Sequence, residues 1–188
     1  MAFVIKTFFI QSFFIPSGSM EPTLLEDDRL LVQKISYWFG EPERGDIVVF
    51  ADPGAWLDEA QIKASETRLQ KALTVIGLFP EGGHLIKRVI GVPGDTVECC
   101  DDEGRILVNG EPIDEPYLAD PSATDGTIFS IEVPAGRLWV MGDNRANSAD
   151  SRAHLGEPGG GTVRADTVVG KAWLRVWPFE RFGLIHND

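Results

Sequence analysis

Short apolar runs, separated by turns that contain glycine or proline, recur along most of this chain. The chain has 20 glycines and 12 prolines in 188 residues, and these residue types favour the turns that join neighbouring strands. Short runs rich in valine and isoleucine are typical of strands. Strands are predicted at 29–35, 47–50, 84–92, 96–99, 105–108, 127–133, 138–141 and 167–176. The sequence therefore predicts a mainly β, antiparallel fold.

One segment departs from this pattern. Between residues 51 and 83, apolar residues recur at helical spacing, at Ile62, Leu69, Leu73 and Ile76. We therefore predict a helical insert over 51–83. The short strands over 99–137 are predicted to form a smaller β subdomain. This division leaves 16–98 and 138–188 for the main β domain, which contains the helical insert.

The N-terminal residues 1–15 are strongly apolar. As a helix they would be about 22 Å long, which is shorter than the roughly 30 Å hydrocarbon core of a bilayer. A secretory signal peptide with Lys6 as its positive region is one interpretation, but no A-x-A cleavage pattern follows. A buried strand is another. We expect a membrane-apposed segment or the remnant of an N-terminal anchor.

Composition excludes some classes of function. The 17 lysines and arginines against 29 aspartates and glutamates give a formal charge of −12, so the surface repels phosphates and no nucleic acid is expected as a partner. The two cysteines, Cys99 and Cys100, are too few for a disulfide scaffold or a structural zinc site. They could be a vicinal disulfide or two free thiols, and we expect no catalytic role for them. We predict no metal and no cofactor.

A loop of serine, glycine and proline follows the N-terminal segment. Pro16 and Pro22 stiffen its ends, and Gly18 allows a sharp turn between Ser17 and Ser19. Such a turn can present a serine hydroxyl and a backbone N–H to one substrate atom. A plain surface loop of the same composition is the alternative.

Two adjacent cations, Lys87 and Arg88, interrupt the apolar strand predicted over 84–92. Neighbouring residues of a strand point to opposite faces, so we expect one cation to be solvated and the other to face inward. A buried lysine has a lowered pKa and can take a proton from a serine as a free amine. The alternative is an edge strand with both cations in solvent.

The segment over 142–152 is dense in hydrogen-bonding groups. Its two aspartates and two arginines can form bidentate ion pairs that would hold the loop rigidly. Ser148 could orient a neutral amine. The alternative is a polar surface turn.

Four segments, PSGSMEPTL, GDIVVF, IKRVIGVPGD and GDNRANSADSR, occur in this order along the chain. Together they resemble the four signature boxes of the bacterial type I signal peptidases, and GKAWLRVWPFERFG is similar to the closing strand of that family. These are membrane-anchored serine endopeptidases with a Ser/Lys dyad. They remove signal peptides from secreted pre-proteins. The resemblance implies this activity, with signal-peptide-bearing pre-proteins and the phospholipid bilayer as partners. It also implies an antiparallel β catalytic domain on the extracytoplasmic face of the plasma membrane.

The resemblance also implies roles for single residues. Ser19 matches the nucleophile and Lys87 the general base, while the Ser19 N–H and the Ser17 hydroxyl match the oxyanion hole. Ser148 matches a serine that orients the lysine. The polar framework behind the site corresponds to Asp143, Asn144, Arg145, Asp150 and Arg152. The substrate pockets correspond to Phe13, Ile15, Pro16, Met20 and Ile86.

These roles set physical requirements. A lysine at its ordinary pKa of about 10.4 is almost fully protonated at pH 7, so the pKa of Lys87 must fall to about 8 if it is to act as a base. We expect the substrate to lie extended against the chain edges at 13–17 and 83–87, with the small residues of an A-x-A-like site in two shallow apolar pockets. Aromatic side chains are expected to press against lipid; they are Phe3, Phe8, Phe9, Phe13, Phe14, Trp173, Trp177 and Phe179.

Other classes of protein fit the sequence less well. A self-cleaving repressor domain would need a DNA-binding segment and an internal cleavage site, and neither is visible. A penicillin-binding type enzyme requires an S-x-x-K motif, whereas Ser19 is followed by Met20, Glu21 and Pro22. A non-catalytic membrane-apposed β module that binds extended peptides without cutting them is the alternative that stays open.

Overall fold

The structure is a computed structural model that describes residues 10–54, 56–57, 83–120 and 126–186. These residues form a short helix, α1 (Ser36–Phe39), and several single turns of 3₁₀ helix. Their strands are β1 (Ile10–Phe14), β2 (Arg29–Gln33), β3 (Ile47–Ala51), β4 (His84–Gly91), β5 (Thr96–Cys99), β6 (Ile106–Val108), β7 (Glu111–Pro112), β8 (Phe129–Glu132), β9 (Arg137–Met141), β10 (Val163–Arg164), β11 (Val168–Trp177) and β12 (Gly183–Leu184).

The strands form two antiparallel sheets. The larger has the order β1-β2-β11-β3-β4-β9-β10, with β12 paired to β11, and the smaller has the order β7-β6-β5-β8. Every pair of neighbouring strands is antiparallel. The mainly β, antiparallel fold predicted from the sequence is therefore confirmed.

The larger sheet is covered on both faces around β3. Ile47 and Val49 belong to one apolar cluster, which includes Met20 from the serine-containing loop. Val48 and Phe50 point the other way, into a second cluster. A strand buried on both faces gives a continuous apolar run rather than an alternating one, which accounts for the sequence of β3.

The smaller sheet and the larger sheet share an apolar cluster. Val97 and Phe129 from the smaller sheet share a cluster with Ile90 and Trp139 from β4 and β9. Gly91 lies at this junction, where a Cβ would come within 2.5 Å of the Val97 side chain. A side chain at position 91 would therefore push the two sheets apart.

Several details differ from the sequence-based expectation. The two-residue strands β7, β10 and β12 were not predicted, because a two-residue pairing leaves no periodic signal. Strand β5 pairs within the smaller sheet, so that sheet begins at Thr96. The division into domains stays a prediction, and the helix of the predicted insert lies outside the described residues.

The structure describes part of the N-terminal segment and both cysteines. Residues 10–14 form β1, which is an edge strand paired with β2, whereas residues 1–9 lie outside the described part of the chain. Cys99 and Cys100 form a vicinal disulfide. Among the described residues, no helix combines the length and apolar character needed to cross a membrane.

Candidate active site

Ser19 lies on a tightly anchored turn that follows β1. The Ile15 N–H donates to the Asp28 carbonyl and the Asp27 N–H donates to the Ile15 carbonyl, both at 3.0 Å. After Ile15 the chain enters a single 3₁₀ turn, Gly18–Met20, and the Met20 side chain is fully buried in the core. Backbone bonds on one side and an apolar anchor on the other therefore fix the position of Ser19.

Lys87 meets this serine from β4. The Lys87 Nζ and Ser19 Oγ atoms are 2.6 Å apart in a buried hydrogen bond, and Lys87 is 3% exposed. Its neighbour Arg88 is fully buried as well. The expectation that one of these two cations is solvated is therefore wrong. It failed because each cation has a buried partner: Lys87 lies against Ser19, and Arg88 has Asp143 as its counter-ion.

Burial lowers the pKa of Lys87 to about 8, because the apolar surroundings disfavour the ammonium form. The negative charges of Asp150 and Asp143 act in the opposite direction, and the positive charge of Arg152 lowers the pKa further. About a tenth of Lys87 is therefore a neutral amine at pH 7, and about half is neutral at pH 8. A neutral amine in contact with a serine hydroxyl can accept its proton.

The loop after β9 holds the serine turn from the other side. The Asn144 N–H donates to the Ser19 carbonyl at 3.1 Å, and the Asn144 side-chain amide donates to the Gly18 carbonyl at 3.0 Å. Gly142 lies so close that a Cβ on it would collide with the Ser19 carbonyl oxygen and the Ser148 hydroxyl. Only glycine allows this approach, so the two loops form one packed unit.

Two buried ion pairs brace this unit. Arg88 donates to both carboxylate oxygens of Asp143, at 2.9 and 2.7 Å, and the Thr23 hydroxyl donates to the same group at 2.6 Å. Arg152 donates to both oxygens of Asp150 at 2.9 Å. Burial alone would raise the pKa of Asp150, but its bonds to Arg152 and its other donors hold that pKa below its ordinary value.

Two of the charged residues of 142–152 form ion pairs with residues outside that segment, which the sequence did not predict. Asp143 pairs with Arg88, and Arg145 pairs with Glu115. Sequence reasoning missed Glu115, because nothing in the spacing of residues 30 positions apart indicates a contact. The Ser148 hydroxyl is buried and makes no hydrogen bond to Lys87 within the described residues, so its orienting role stays a prediction.

The other predicted site residues lie around the dyad at different depths. Ser17 and Pro16 are exposed beside Ser19, and Ile86 is half-buried. Ile15 and Met20 are buried in the core, so they lie beneath the surface that a substrate would meet. Phe13 is also buried. The prediction that its side chain contacts lipid is therefore wrong.

Comparisons with known proteins show the family of this chain. The family model described as "Signal peptidase, peptidase S26" matches residues 1–177. Signal peptidase I of Mycobacterium tuberculosis (strain ATCC 25618 / H37Rv) is 44% identical over 209 residues, which cover 98% of this chain and 71% of that protein. Signal peptidase I U of Bacillus subtilis (strain 168) is 32% identical over 186 residues, which cover 95% of this chain and 82% of that protein.

A solved structure is also similar. The crystal structure of a signal peptidase I from Enterococcus faecalis V583 matches 70% of this chain and 97% of that chain, with 28% identity and a TM-score of 0.45. The family match and the relatives favour an enzyme over the non-catalytic peptide-binding module. The chain therefore belongs to the S26 family of signal peptidases, whose members remove signal peptides.

Proposed function

We propose that this enzyme cleaves signal peptides with Ser19 as nucleophile and Lys87 as general base. The single observation that carries the proposal is the 2.6 Å contact between a buried lysine amine and a serine hydroxyl. A serine hydroxyl is a weak nucleophile until an adjacent base takes its proton. Lys87 can be that base because its lowered pKa leaves part of it neutral.

The reaction proceeds in two stages. The Ser19 Oγ attacks the scissile carbonyl carbon while Lys87 Nζ takes the hydroxyl proton, and the C–N bond then breaks as the Lys87 ammonium gives that proton to the leaving amine. Water next attacks the acyl-enzyme ester. Lys87 accepts a proton from the water, and the ester bond between the acyl carbon and Ser19 Oγ then breaks as Lys87 returns that proton to the serine oxygen. The signal peptide leaves with a free carboxyl terminus, and the starting state is restored.

Two donors are available for the oxyanion of the intermediates. Ser19 lies in the first turn of a 3₁₀ helix, and backbone N–H groups at that position have no partner within the helix. Ser17 precedes this turn in extended backbone and is exposed. The Ser19 N–H and the Ser17 hydroxyl therefore form the proposed oxyanion hole.

The substrate would lie extended between two chain edges. Strand β1 is an edge of the larger sheet, and β9 pairs with β4 only from Arg88 onward in the described sheet. The rings of Phe13 on β1 and His84 on β4 meet edge to face with centroids 5.6 Å apart, so these two edges are neighbours. Pairing there would bring small residues of an A-x-A-like site against Ile86 and Pro16.

An exposed apolar patch supports a lipid surface as the second partner. The patch consists of Trp177, Phe179, Phe182 and Leu184, which are 43%, 72%, 61% and 60% exposed. Trp177 pairs across strands with Arg29, and Arg29 pairs with Phe14. The patch therefore lies two strands from the segment that leads to Ser19. We place the catalytic domain at the outer surface of the plasma membrane, with this patch at the headgroup level.

Trp173 differs from its neighbours. It is half-buried and its indole nitrogen is fully enclosed, so it packs mainly against protein. The lipid contact proposed here therefore rests on the exposed patch and not on Trp173. Replacing Trp177 and Phe179 of the patch by serine should weaken binding to vesicles of mixed zwitterionic and anionic phospholipid, whereas Ile128→Ser, at an exposed apolar residue outside the patch, should not.

Cleavage of a peptide with an Ala-x-Ala site, in detergent or lipid, tests the catalytic proposal. The wild type should cut after the second alanine, and Ser19→Ala and Lys87→Met should each lower the rate by at least about a thousandfold. Lys34→Met, which replaces the partly exposed lysine directly after β2, is the matched control and should leave the rate unchanged. Cleavage by Ser19→Ala at the wild-type rate would overturn the proposal.

A further inference from the structure

A short segment that follows strand β7 of the smaller sheet contacts the residues behind the active site. Residues 113–118, called the strap here, follow β7. The Ile113 N–H at the start of the strap donates to the Ile106 carbonyl at 3.0 Å, and the Leu118 N–H at its end donates to the Glu115 carbonyl at 3.1 Å. The strap is thus fixed to the smaller sheet at one end and closed as a turn at the other.

Glu115 of the strap forms a buried ion pair with Arg145. The side chains are 7% and 2% exposed, and Arg145 donates through two nitrogens to the two carboxylate oxygens, one of these bonds being 3.0 Å long. The Arg145 Nε also donates to the Gly142 carbonyl at 3.0 Å. Gly142 is the residue that packs against the Ser19 carbonyl. Glu115 is therefore linked to the serine turn through a single arginine, Arg145.

Tyr117 of the strap holds a second arginine. Its hydroxyl donates to Glu115 at 2.6 Å, and its ring covers Arg88, with the Arg88 Cζ atom 3.7 Å from the ring centroid. Burial and the charge of Glu115 raise the pKa of the Tyr117 hydroxyl, so the hydroxyl stays a donor. Arg88 follows Lys87 in β4 and binds Asp143 at both oxygens.

We infer that Glu115 and Tyr117 are positioning residues for the Ser19–Lys87 dyad. They act through Arg145 and Arg88, which hold the loop after β9 against the serine turn. Neither residue touches the reacting atoms. Displacements of about 1 Å in a catalytic group can lower a rate about a hundredfold. The contacts of Glu115 and Tyr117 with the two arginines therefore contribute to turnover by fixing the loop after β9. The smaller sheet is then part of the catalytic apparatus.

The inference rests on the proposed function, and kinetics of Glu115→Gln test it. Glu111→Gln is the matched control, because Glu111 is an exposed glutamate on the adjacent strand β7. With the Ala-x-Ala peptide, Glu115→Gln should lower kcat at least about tenfold and change KM less than about threefold, since a misplaced dyad weakens transition-state interactions. The melting temperature of each variant should stay above the assay temperature.

Tyr117 provides a second pair of variants. Tyr117→Phe keeps the ring over Arg88 and should retain most of kcat, whereas Tyr117→Leu removes the ring and should lower kcat at least about tenfold. This pair decides the question if Glu115→Gln does not fold. Equal kcat values for the phenylalanine and leucine variants would then overturn the inference.

A double-mutant cycle separates positioning from general destabilisation. Because Glu115 acts through Arg145, adding Glu115→Gln to Arg145→Met should lower kcat no further. A further loss equal to that of the single change would overturn the inference, as would a kcat of Glu115→Gln equal to that of Glu111→Gln. Ser19→Ala is measured in parallel. If Ser19→Ala retains activity the proposed function fails, whereas an inactive Ser19→Ala with a fully active Glu115→Gln refutes only the positioning role.

Discussion

Replacing Lys87 by methionine should abolish cleavage and yet stabilise the protein at neutral pH. Methionine fills a similar volume without a charge, whereas the folded wild type must bury an ammonium group or release its proton. Burial lowers the pKa of Lys87 from 10.5 to about 8. At about 1.4 kcal/mol per pKa unit, this difference corresponds to about 3 kcal/mol of unfolding free energy that the wild type lacks below pH 8.

The sign follows from proton binding. Between about pH 8 and pH 10.5 the unfolded chain binds more protons at Lys87 than the folded chain does, so wild-type stability rises with pH over that window. Above it both states are neutral at this position and the penalty is gone. The substitution also removes the hydrogen bond to Ser19, which costs about 1 kcal/mol. The variant should therefore be about 2 kcal/mol more stable than the wild type at pH 6.5, and no more stable than the wild type near pH 11.

Urea unfolding of both proteins at several pH values measures this difference directly. Subtracting the two unfolding free energies cancels every titration that the proteins share. Lys34→Met is measured in parallel as the control for the loss of a lysine outside the site. A wild type that exceeds Lys87→Met in stability by a constant amount at every pH would refute the reasoning, because it would show that burial does not penalise the charged lysine.

Three further substitutions test the geometry around the dyad. Gly142→Ala should lower kcat about a hundredfold in a folded protein, because the added methyl group pushes against the Ser19 carbonyl; cleavage at the wild-type rate would contradict the close approach. Ser17→Ala should lower kcat by about 10²–10³-fold with unchanged stability, as measured by peptide cleavage and thermal melting. Asn144→Asp replaces the donor to the Gly18 carbonyl with an acceptor and should lower kcat at least about tenfold, whereas Asn147→Asp, at an exposed position, should not.

Much of the site could be predicted from the sequence because its chemistry has local signals. An apolar strand that contains a lysine indicates a buried amine, and a Ser-Gly-Ser turn between prolines indicates an exposed backbone N–H. The structure places Ser19 and Lys87 in contact although they are 68 residues apart. The resemblance to a known family, and not spacing, led to that pairing.

The rest of the site depends on contacts that leave no trace in the sequence. Strand alternation predicts that one of Lys87 and Arg88 is solvated, but a buried carboxylate, Asp143, allows Arg88 to lie inside as well. Glu115 and Tyr117 lie in a segment without periodicity, and only the packing of the smaller sheet brings them to the two arginines. Pairing between distant charges is a tertiary property, so a single sequence does not predict it.

The pH dependence of kcat/KM for an Ala-x-Ala peptide tests the central claim most directly. The peptide should carry no group that titrates between about pH 5 and pH 10, so that the profile reports the free enzyme. Because the reaction needs a neutral Lys87, kcat/KM should fall about tenfold per unit below an apparent pKa of about 8 and should level off above it. A profile that is flat across this range, or one whose acid limb lies near the ordinary pKa of histidine at about 6.5, would contradict the assignment of Lys87 as the general base.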